Sequence, residues 1–426
     1  MEKFLNKKLL ILGGAEIHCK VVRAAKELGI HTIVVDYLSK EDSPAKLIAD
    51  ESYEINIYDV DAIIKLAKKL KVDGVINTSL DPCQIPQVKV CNALNLPCYG
   101  TLDQYFKLTN KIAFKKLCRD NGVDVIEDYT EDDILKNNVK YPVFIKPVDS
   151  RGSRGQSICF NLEQALNGIK LAKSISSDHT VLIEQYLKDK QDFMLSYIVI
   201  DGKPNLVRIC DRFEGLEKDG LDKVGALAFN PSRFTNFYIQ NINDKVIQMI
   251  KNLGIKNGPI FLQGFVDGNT VRMYDPGIRL PGGNYENMFK KIHDVDIIKM
   301  LIELSLTGKI TETFGIIPDQ AYLLNNTFAS NLFPMIRSGK ISKIEGFDLI
   351  KKQKFLVSGA LRHRENEFVE ATKTVNQRIG EFNICTNSVQ EMKNAIRFIY
   401  DNLKVFDENG NSMMCSYLDL DAIFGE

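Results

Sequence analysis

An α/β N-terminal domain followed by α+β subdomains and a closing C-terminal lobe is the architecture this chain predicts, on three observations. First, residues 9–12 form a continuous apolar run. They lead into Gly13-Gly14, a helical pattern through Leu28 and a second apolar run, 31–35, that ends in Asp36. Strand, glycine turn, helix, strand ending in an acid is a Rossmann-like order. Second, the stretch 141–156, YPVFIKPVDSRGSRGQ, holds a short β-prone run bracketed by Pro142 and Pro147, then a polar, cationic, glycine-rich loop. Third, the runs 258–266 and 270–274 flank Asp267-Gly268-Asn269, a strong hairpin signal.

At 426 residues the chain is too long for one core, which implies two to three domains. Lysine plus arginine equals aspartate plus glutamate, 55 of each, so no general electrostatic pull toward nucleic acid or an anionic membrane is expected. The first eight residues are charged and the apolar run after them is only a strand's length, unlike a signal peptide. No run approaches membrane-spanning length. Nine cysteines without a CxxC pair predict neither a zinc site nor a disulfide framework. These readings predict a reduced, cytoplasmic protein.

In the first hundred residues the glycine fingerprint is incomplete: Gly13 and Gly14 are followed by Glu16 where a third close approach would be needed. Glu16 also puts negative charge where a pyrophosphate would rest on the helix N-terminus. Dinucleotide binding is therefore not expected, and the turn reads as a structural element that touches a substrate. An amphipathic helix over 59–70, a strand over 74–77 and a helix over 84–94 complete the unit. Asp81 faces the carboxyl edge where such sheets bind ligands, and as a lone acid before a proline it reads as a helix-start residue.

The middle of the chain reads as a phosphate grip. Lys146 ends the strand over 143–146. Gly152 and Gly155 let the loop of Asp149, Ser150, Arg151, Ser153 and Arg154 fold tightly enough to aim N–H groups at an anion. A surface hairpin with a solvated charge cluster is the plain alternative. Thr109 begins the helical sequence TNKIAFKKLCRDNG, with Lys111 in its first turn, and a short helix is expected near 131–136. Helix 162–172 precedes a strand over 180–186, in which Leu182, Glu184 and Tyr186 share a face. A glutamate between apolar neighbours needs a partner. Adenine and ribose groups reached by Glu184 and Asp192 would supply one, and so would a pairing with Lys188 or Lys190.

Taken together, Lys111, Lys146 with its loop, the EQYL of Glu184, Gln185, Tyr186 and Leu187, and Asp192 resemble the ATP-grasp superfamily. The resemblance is to the branch that contains carbamoyl phosphate synthase, biotin carboxylase and the amino-acid ligases, and it covers roughly the first 310 residues. It implies ATP and Mg²⁺ between two α+β subdomains. Lys111 and Lys146 would contact phosphates, the loop of Ser150, Arg151, Gly152, Ser153 and Gly155 would cover them, Glu184 to Leu187 would frame the adenine, and Asp192 would hold the ribose. The expected divisions are a pre-ATP-grasp domain at 1–100, the ATP-grasp region at 101–310 with a lid at about 124–190, and a C-terminal lobe at 311–426.

At the metal end the pattern departs. The family has a Glu or Gln, then an acid-x-Asn-x-Arg triplet; here stand Gln263, then Asp275, Gly277 and Arg279. Gln263 and Asp275 can offer oxygens to Mg²⁺, whereas Gly277 offers no side chain. Asn284 or Glu286 could replace it if the loop past Gly282-Gly283 folds back; otherwise the metal keeps more water. For Gln263 and Asp275 to share a face, all three residues Asp267-Gly268-Asn269 must form the hairpin loop. Arg279 matches a phosphoryl group in transfer. Arg208 and Arg212 share a face if their segment is a strand, and two readings stand open: a hold on the terminal phosphate or a substrate carboxylate, or ordinary exposed arginines. Asp222, Lys223, Ser232 and Arg233 are weaker candidates for an acceptor pocket.

Farther on, 321–325 and 328–336 read as strands, 341–344 as a short one and 389–403 as a helix. The run 339–346 resembles the C-terminal lobe of the amino-acid-ligase branch, which caps the active site. His363, between Arg362 and Arg364, reads as part of a solvated charge cluster. The resemblance implies an ADP-forming carboxylate–amine ligase that works through an acyl phosphate, with a small-molecule acid and an amine as partners and a homodimer as a candidate assembly. A carboxyphosphate route stands behind it, because Gly283 occupies the position of the biotin-carboxylase base. A nucleotide-binding regulatory protein without turnover is the reading from another class.

Overall fold

The computed structural model describes residues 2–148, 155–216 and 224–425. The N-terminal unit is a parallel four-stranded sheet in the order Glu51–Glu54, His31–Asp36, Lys8–Leu12, Gly74–Ile76. Its central strand is buried from Leu9 to Leu12, as the unbroken apolar run requires. Helix Glu16–Glu27 packs Val21, Val22 and Ala25 into the core, and Val60–Leu70 and Gln84–Leu94 are helices as expected. The glycine turn is filled by the protein itself. Gly14 N–H donates to the Asp36 carboxylate at 3.1 Å, and a Cβ at 14 would collide with Ser43 Oγ. The acid that ends the second strand is thus committed to the turn.

Two antiparallel sheets follow. The smaller has the order Asp128–Tyr129, Val181–Gln185, Val143–Pro147, Ser157–Cys159, with helix Leu162–Ile175 packed on it. The larger has eight strands in the order Thr270–Gly277, Gly258–Asp267, Gln191–Ile200, Lys203–Glu214, Gly225–Asn230, Phe328–Leu332, Gly380–Thr386, Leu356–Leu361. Its last three strands come from the C-terminal part of the chain, so residues beyond 310 extend the same sheet that carries Gln263 and Asp275.

Three local expectations are corrected. The hairpin loop is the two residues Gly268-Asn269, with Asp267 paired to Thr270. Segment 321–326 is a 3₁₀ turn rather than a strand, because Leu324 and Asn325 adopt left-handed backbone. The run 328–336 splits into Phe328–Leu332 and Met335–Ile336 around Pro334, which has no N–H to give a ladder. The later helix is Val389–Asn402. All nine cysteines are free thiols, and among the described residues no helix is long and apolar enough to cross a membrane.

Candidate active site between the two sheets

Residues 186–190 connect strand Val181–Gln185 of the small sheet to Gln191–Ile200 of the large one, so the EQYL segment marks the passage between them. Helix Lys111–Asp120 is capped by the Asn110 side chain, which accepts from Ile112 and Ala113 N–H. This cap presents Lys111 at the helix start, with Nζ 3.9 Å from Asp275 Oδ1.

Lys146 is buried, and its Nζ lies 2.6 Å from Glu184 Oε2. The other Glu184 oxygen is held by Lys115, whose Nζ also donates to the Ile126 carbonyl at 2.9 Å and reaches Asp128. Burial penalises the Glu184 charge, but Lys146 and Lys115 outweigh it and hold the carboxyl below its ordinary range. The partner that Glu184 needs is therefore this lysine pair. Lys188 and Lys190 turn instead to Asp189 and Asp267. Around the rest of the motif, Gln185 N–H donates to Glu127 O and Tyr186 N–H to Pro142 O, and the Tyr186 ring lies 6.4 Å from that of Phe144. Leu187 follows in the connection. Of the expected lid, Gly155 is described. Ser150, Arg151, Gly152 and Ser153, with Asp149 and Arg154, lie outside the described residues, as do Asp222 and Lys223.

Asp192 stands directly across from Arg212 in the ladder and pairs with it at 2.8 Å, while Tyr274 donates its hydroxyl to Asp192 at 3.0 Å. Burial raises the Asp192 carboxyl despite Arg212. Arg208, two residues nearer the strand start than Cys210, is only 1 % exposed. It donates to Asn230 Oδ1 at 3.0 Å and Asn331 Oδ1 at 2.5 Å, and its guanidinium lies 4.5 Å from the centre of the Tyr285 ring. Neither is an exposed strand arginine.

At the metal end, Gln263 does face Asp275, by a different route from the expected loop. The register shifts between Gln263 and Gly264, so Tyr274 is the extra residue of a β-bulge and Asp275 comes directly opposite Gln263. Gln263 Nε2 points at Met194 Sδ, 3.7 Å away, which turns Oε1 from that contact. Burial raises the Asp275 carboxyl, with Lys111, Lys146 and Arg279 acting against it and Asp81 adding to it. Gly277 pairs with Phe261, and a Cβ there would run into the Phe261 ring, 2.7 Å from Cδ1. Its φ is not in the left-handed region, so space rather than backbone angle requires the glycine.

Arg279 lies 4.4 Å over the Phe261 ring and is held bidentately by Asp81, Nε to Oδ1 at 2.5 Å and Nη2 to Oδ2 at 2.8 Å. The N-terminal unit docks this loop: Ile278 N–H donates to Gln84 Oε1 and Leu280 N–H to the Thr78 carbonyl. Asp81 does head a short 3₁₀ turn, Asp81–Cys83, but its carboxylate also orients Arg279. The alternative metal ligands look elsewhere: Glu286 pairs with Lys20, and Asn284 takes Lys20 at 2.9 Å and donates to Glu381 at 2.7 Å. Burial lowers Lys20 to about 7. Ser232 and the Arg233 N–H both donate to Asp211, at 2.6 and 3.1 Å. His363 is not left to solvent as a charge cluster would be: it is bonded to Glu367 and to the Asn376 carbonyl, each at 2.6 Å.

Sequence reasoning missed Lys115, Phe261, Tyr274, Lys20 and Arg378. Only Lys115 carried a signal, a lysine on the buried stripe of its helix beside Phe114 and Cys118. The others depend on cross-strand and inter-element pairing.

An N-terminal parallel unit, a four-stranded cap and a long antiparallel sheet, with Lys111 beside an amide–carboxylate pair at their junction, are the parts of an ATP-grasp fold. Residues 5–77 match the biotin carboxylase N-terminal domain family, and 108–265 match the carbamoyl-phosphate synthase L chain ATP binding domain family. Over these two segments the chain is similar to the carbamoyl phosphate synthase and biotin carboxylase branch of the ATP-grasp superfamily.

Biotin carboxylase 1 of Bacillus subtilis is 26 % identical over 294 residues, 63 % of this chain and 63 % of its own length. Formate-dependent phosphoribosylglycinamide formyltransferase of Prochlorococcus marinus is 24 % identical over 62 % of this chain and 68 % of its own. The matched part is thus under two thirds of the first of these relatives. Among solved structures, L-amino acid ligase from Bacillus licheniformis superposes with a TM-score of 0.76 at 18 % identity, covering 95 % of this chain and 100 % of the other. Biotin carboxylase from Campylobacter jejuni, a β,γ-ATP complex, superposes at 0.73 and 18 %, covering 95 % and 93 %. The second family match ends at 265, before Asp275, Gly277 and Arg279, where this sequence departs from the pattern.

Proposed function

We propose that the protein is an ADP-forming carboxylate–amine ligase that activates a small acid as an acyl phosphate and passes it to an amine. The observation that carries this reading is Asp275, opposite Gln263 in the ladder and 3.9 Å from Lys111, with the charges of Lys146 and Arg279 near enough to act on its carboxyl. Mg²⁺ fits the donor set, since one carboxylate and one amide oxygen leave room for phosphate oxygens and water. ATP with Mg²⁺ would supply the transferable phosphoryl group and neutralise part of its charge. Asp275 and Gln263 would hold the metal, and Lys111 and Lys146 the phosphates. Arg279, preset by Asp81, would meet charge that develops in transfer, so little reorganisation is needed at the moment of reaction. Amide formation then needs acyl phosphate and amine held together in a cleft that excludes water, with no side-chain nucleophile. Lid loop 150–155 and the divisions at 100 and 310 belong to the same reading.

The test is product identity with ATP, Mg²⁺ and a panel of acids and amines. ADP and phosphate, released only when acid and amine are both present, are expected. AMP would contradict the acyl phosphate and point to activation as an adenylate, and no turnover with any pair would favour the regulatory protein.

A further inference from the structure

Beyond the nucleotide cleft, a cluster of arginines lies where the long sheet passes into its C-terminal strands. Arg212 Nη2 would lie 3.2 Å, and Arg378 Nη2 3.8 Å, from a Cβ at Gly225, so two guanidinium groups converge on one small volume left open by a glycine. Arg378 also donates to the Gly225 carbonyl at 2.5 Å and lies 4.0 Å from the centre of the Phe333 ring. Arg208 joins the cluster through Asn331, Asn383 and Glu381, and Glu381 reaches Arg362 at 3.8 Å.

Among the described residues the charges do not balance. Arg212 has Asp192 and Arg362 has Glu381, but the described partners of Arg208 and Arg378 are neutral. Arg208 Nη1 and Arg378 Nε are buried with no hydrogen-bond acceptor among the described residues. Burial, then Arg362 and Arg212, pull Arg378 down to about 9, with Glu381 acting only weakly against them. Buried like charges without a counter-ion are expensive unless something anionic joins them.

We propose that Arg212 and Arg378, facing each other across Gly225 and backed by Arg208, bind an anionic group of the substrate other than the carboxylate that is activated. Either the substrate acid therefore carries a second anionic group, carboxylate or phosphate, or the amine carries one of its own. This rests on the ligase reading and narrows its substrate class. The planar guanidinium forks match both carboxylate and phosphate oxygens.

The experiment is thermal unfolding of the full chain in succinate, phosphate or chloride at equal ionic strength, with and without saturating MgADP to occupy the nucleotide cleft. Both multivalent anions, or one of them, should raise Tm over chloride in the presence of MgADP. The stronger of the two identifies the group as carboxylate-like or phosphate-like. Arg378→Gln should weaken that response by roughly tenfold in anion concentration. Gly225→Asp, which puts a carboxylate between the two guanidiniums, should raise the Tm of the ligand-free protein and remove the response. Anions no better than chloride, or an unchanged response in a folded Arg378→Gln, would overturn the proposal. If Arg378→Gln does not fold, a Gly225→Asp protein that keeps the full response overturns it. Absence of any MgADP effect would count against the ligase instead, while the anion response still decides whether the arginine site exists.

Discussion

Phe261 occupies the space that any side chain at Gly277 would need: the two are direct cross-strand partners, and a Cβ at 277 would enter the ring edge. The same ring supports the Arg279 guanidinium from 4.4 Å. Packing therefore takes the place where the family pattern has an asparagine, and the proposed metal site is left with one carboxylate. Gly277→Asn should destabilise the protein by about 1–3 kcal/mol, as overpacking does. In a Phe261→Ala background the same change should cost less, a coupling visible in a double-mutant cycle by denaturant unfolding. Additive costs would show that the ring is not the obstacle.

Asp275 is only loosely paired, 3.9 Å from Lys111, and burial already disfavours its charge. Asp275→Asn should therefore leave stability within about 0.5 kcal/mol of the parent, the range of changes that break no tight contact. It should also abolish turnover, because it removes the charge that offsets Mg²⁺. Full activity at low Mg²⁺ in this variant would rule out Asp275 as the metal carboxylate.

Lys146 has two jobs to separate. Lys146→Ala should weaken nucleotide binding by roughly tenfold or more in calorimetry. It should also lower stability, because Glu184 is 1 % exposed and keeps only Lys115. Combining it with Glu184→Gln should recover stability without recovering affinity. An unchanged affinity in the folded protein would remove Lys146 from the phosphate grip.

Much of the frame was legible because it rests on local pattern. The strand–turn–helix–strand order over 9–36, the helices 59–70 and 84–94 and the hairpin after 258 all follow from apolar period and turn chemistry. What the sequence hid lies in pairing between distant elements. The bulge at Tyr274 could not be read from a hairpin signal that allowed two loop lengths. The counter-ions of Glu184 and Arg279, Lys115 and Asp81, sit 69 and 198 positions away in the chain. The joining of 328–332 and 380–386 to the long sheet, which brings Asn331 and Glu381 to the site, has no local signature.

His18 offers a pH test of the glycine turn. It is buried under Gly13, with Nδ1 3.3 Å from the Ala15 carbonyl and Nε2 without a partner among the described residues. Burial first, then nearby Lys20, lowers it from 6.5 to about 4. Below pH 6.5 the unfolded chain takes a proton that the folded chain refuses, so this stability is full above 6.5 and is lost toward pH 4. The loss is up to about 1.4 kcal/mol per pH unit. A His18→Gln variant should show a shallower fall over that window in urea unfolding. Parallel curves for the two proteins would mean His18 is protonated in the fold.

The most direct test of the central claim follows oxygen. With an acid and amine pair that turns over, the substrate carboxylate is labelled with ¹⁸O and the released phosphate is analysed by mass. Attack of the carboxylate on the phosphoryl group, followed by amine displacement, leaves one carboxylate oxygen on phosphate, so one ¹⁸O per phosphate is predicted. Phosphate free of label, with both labelled oxygens kept in the substrate-derived product, would contradict an acyl phosphate formed between these two sheets.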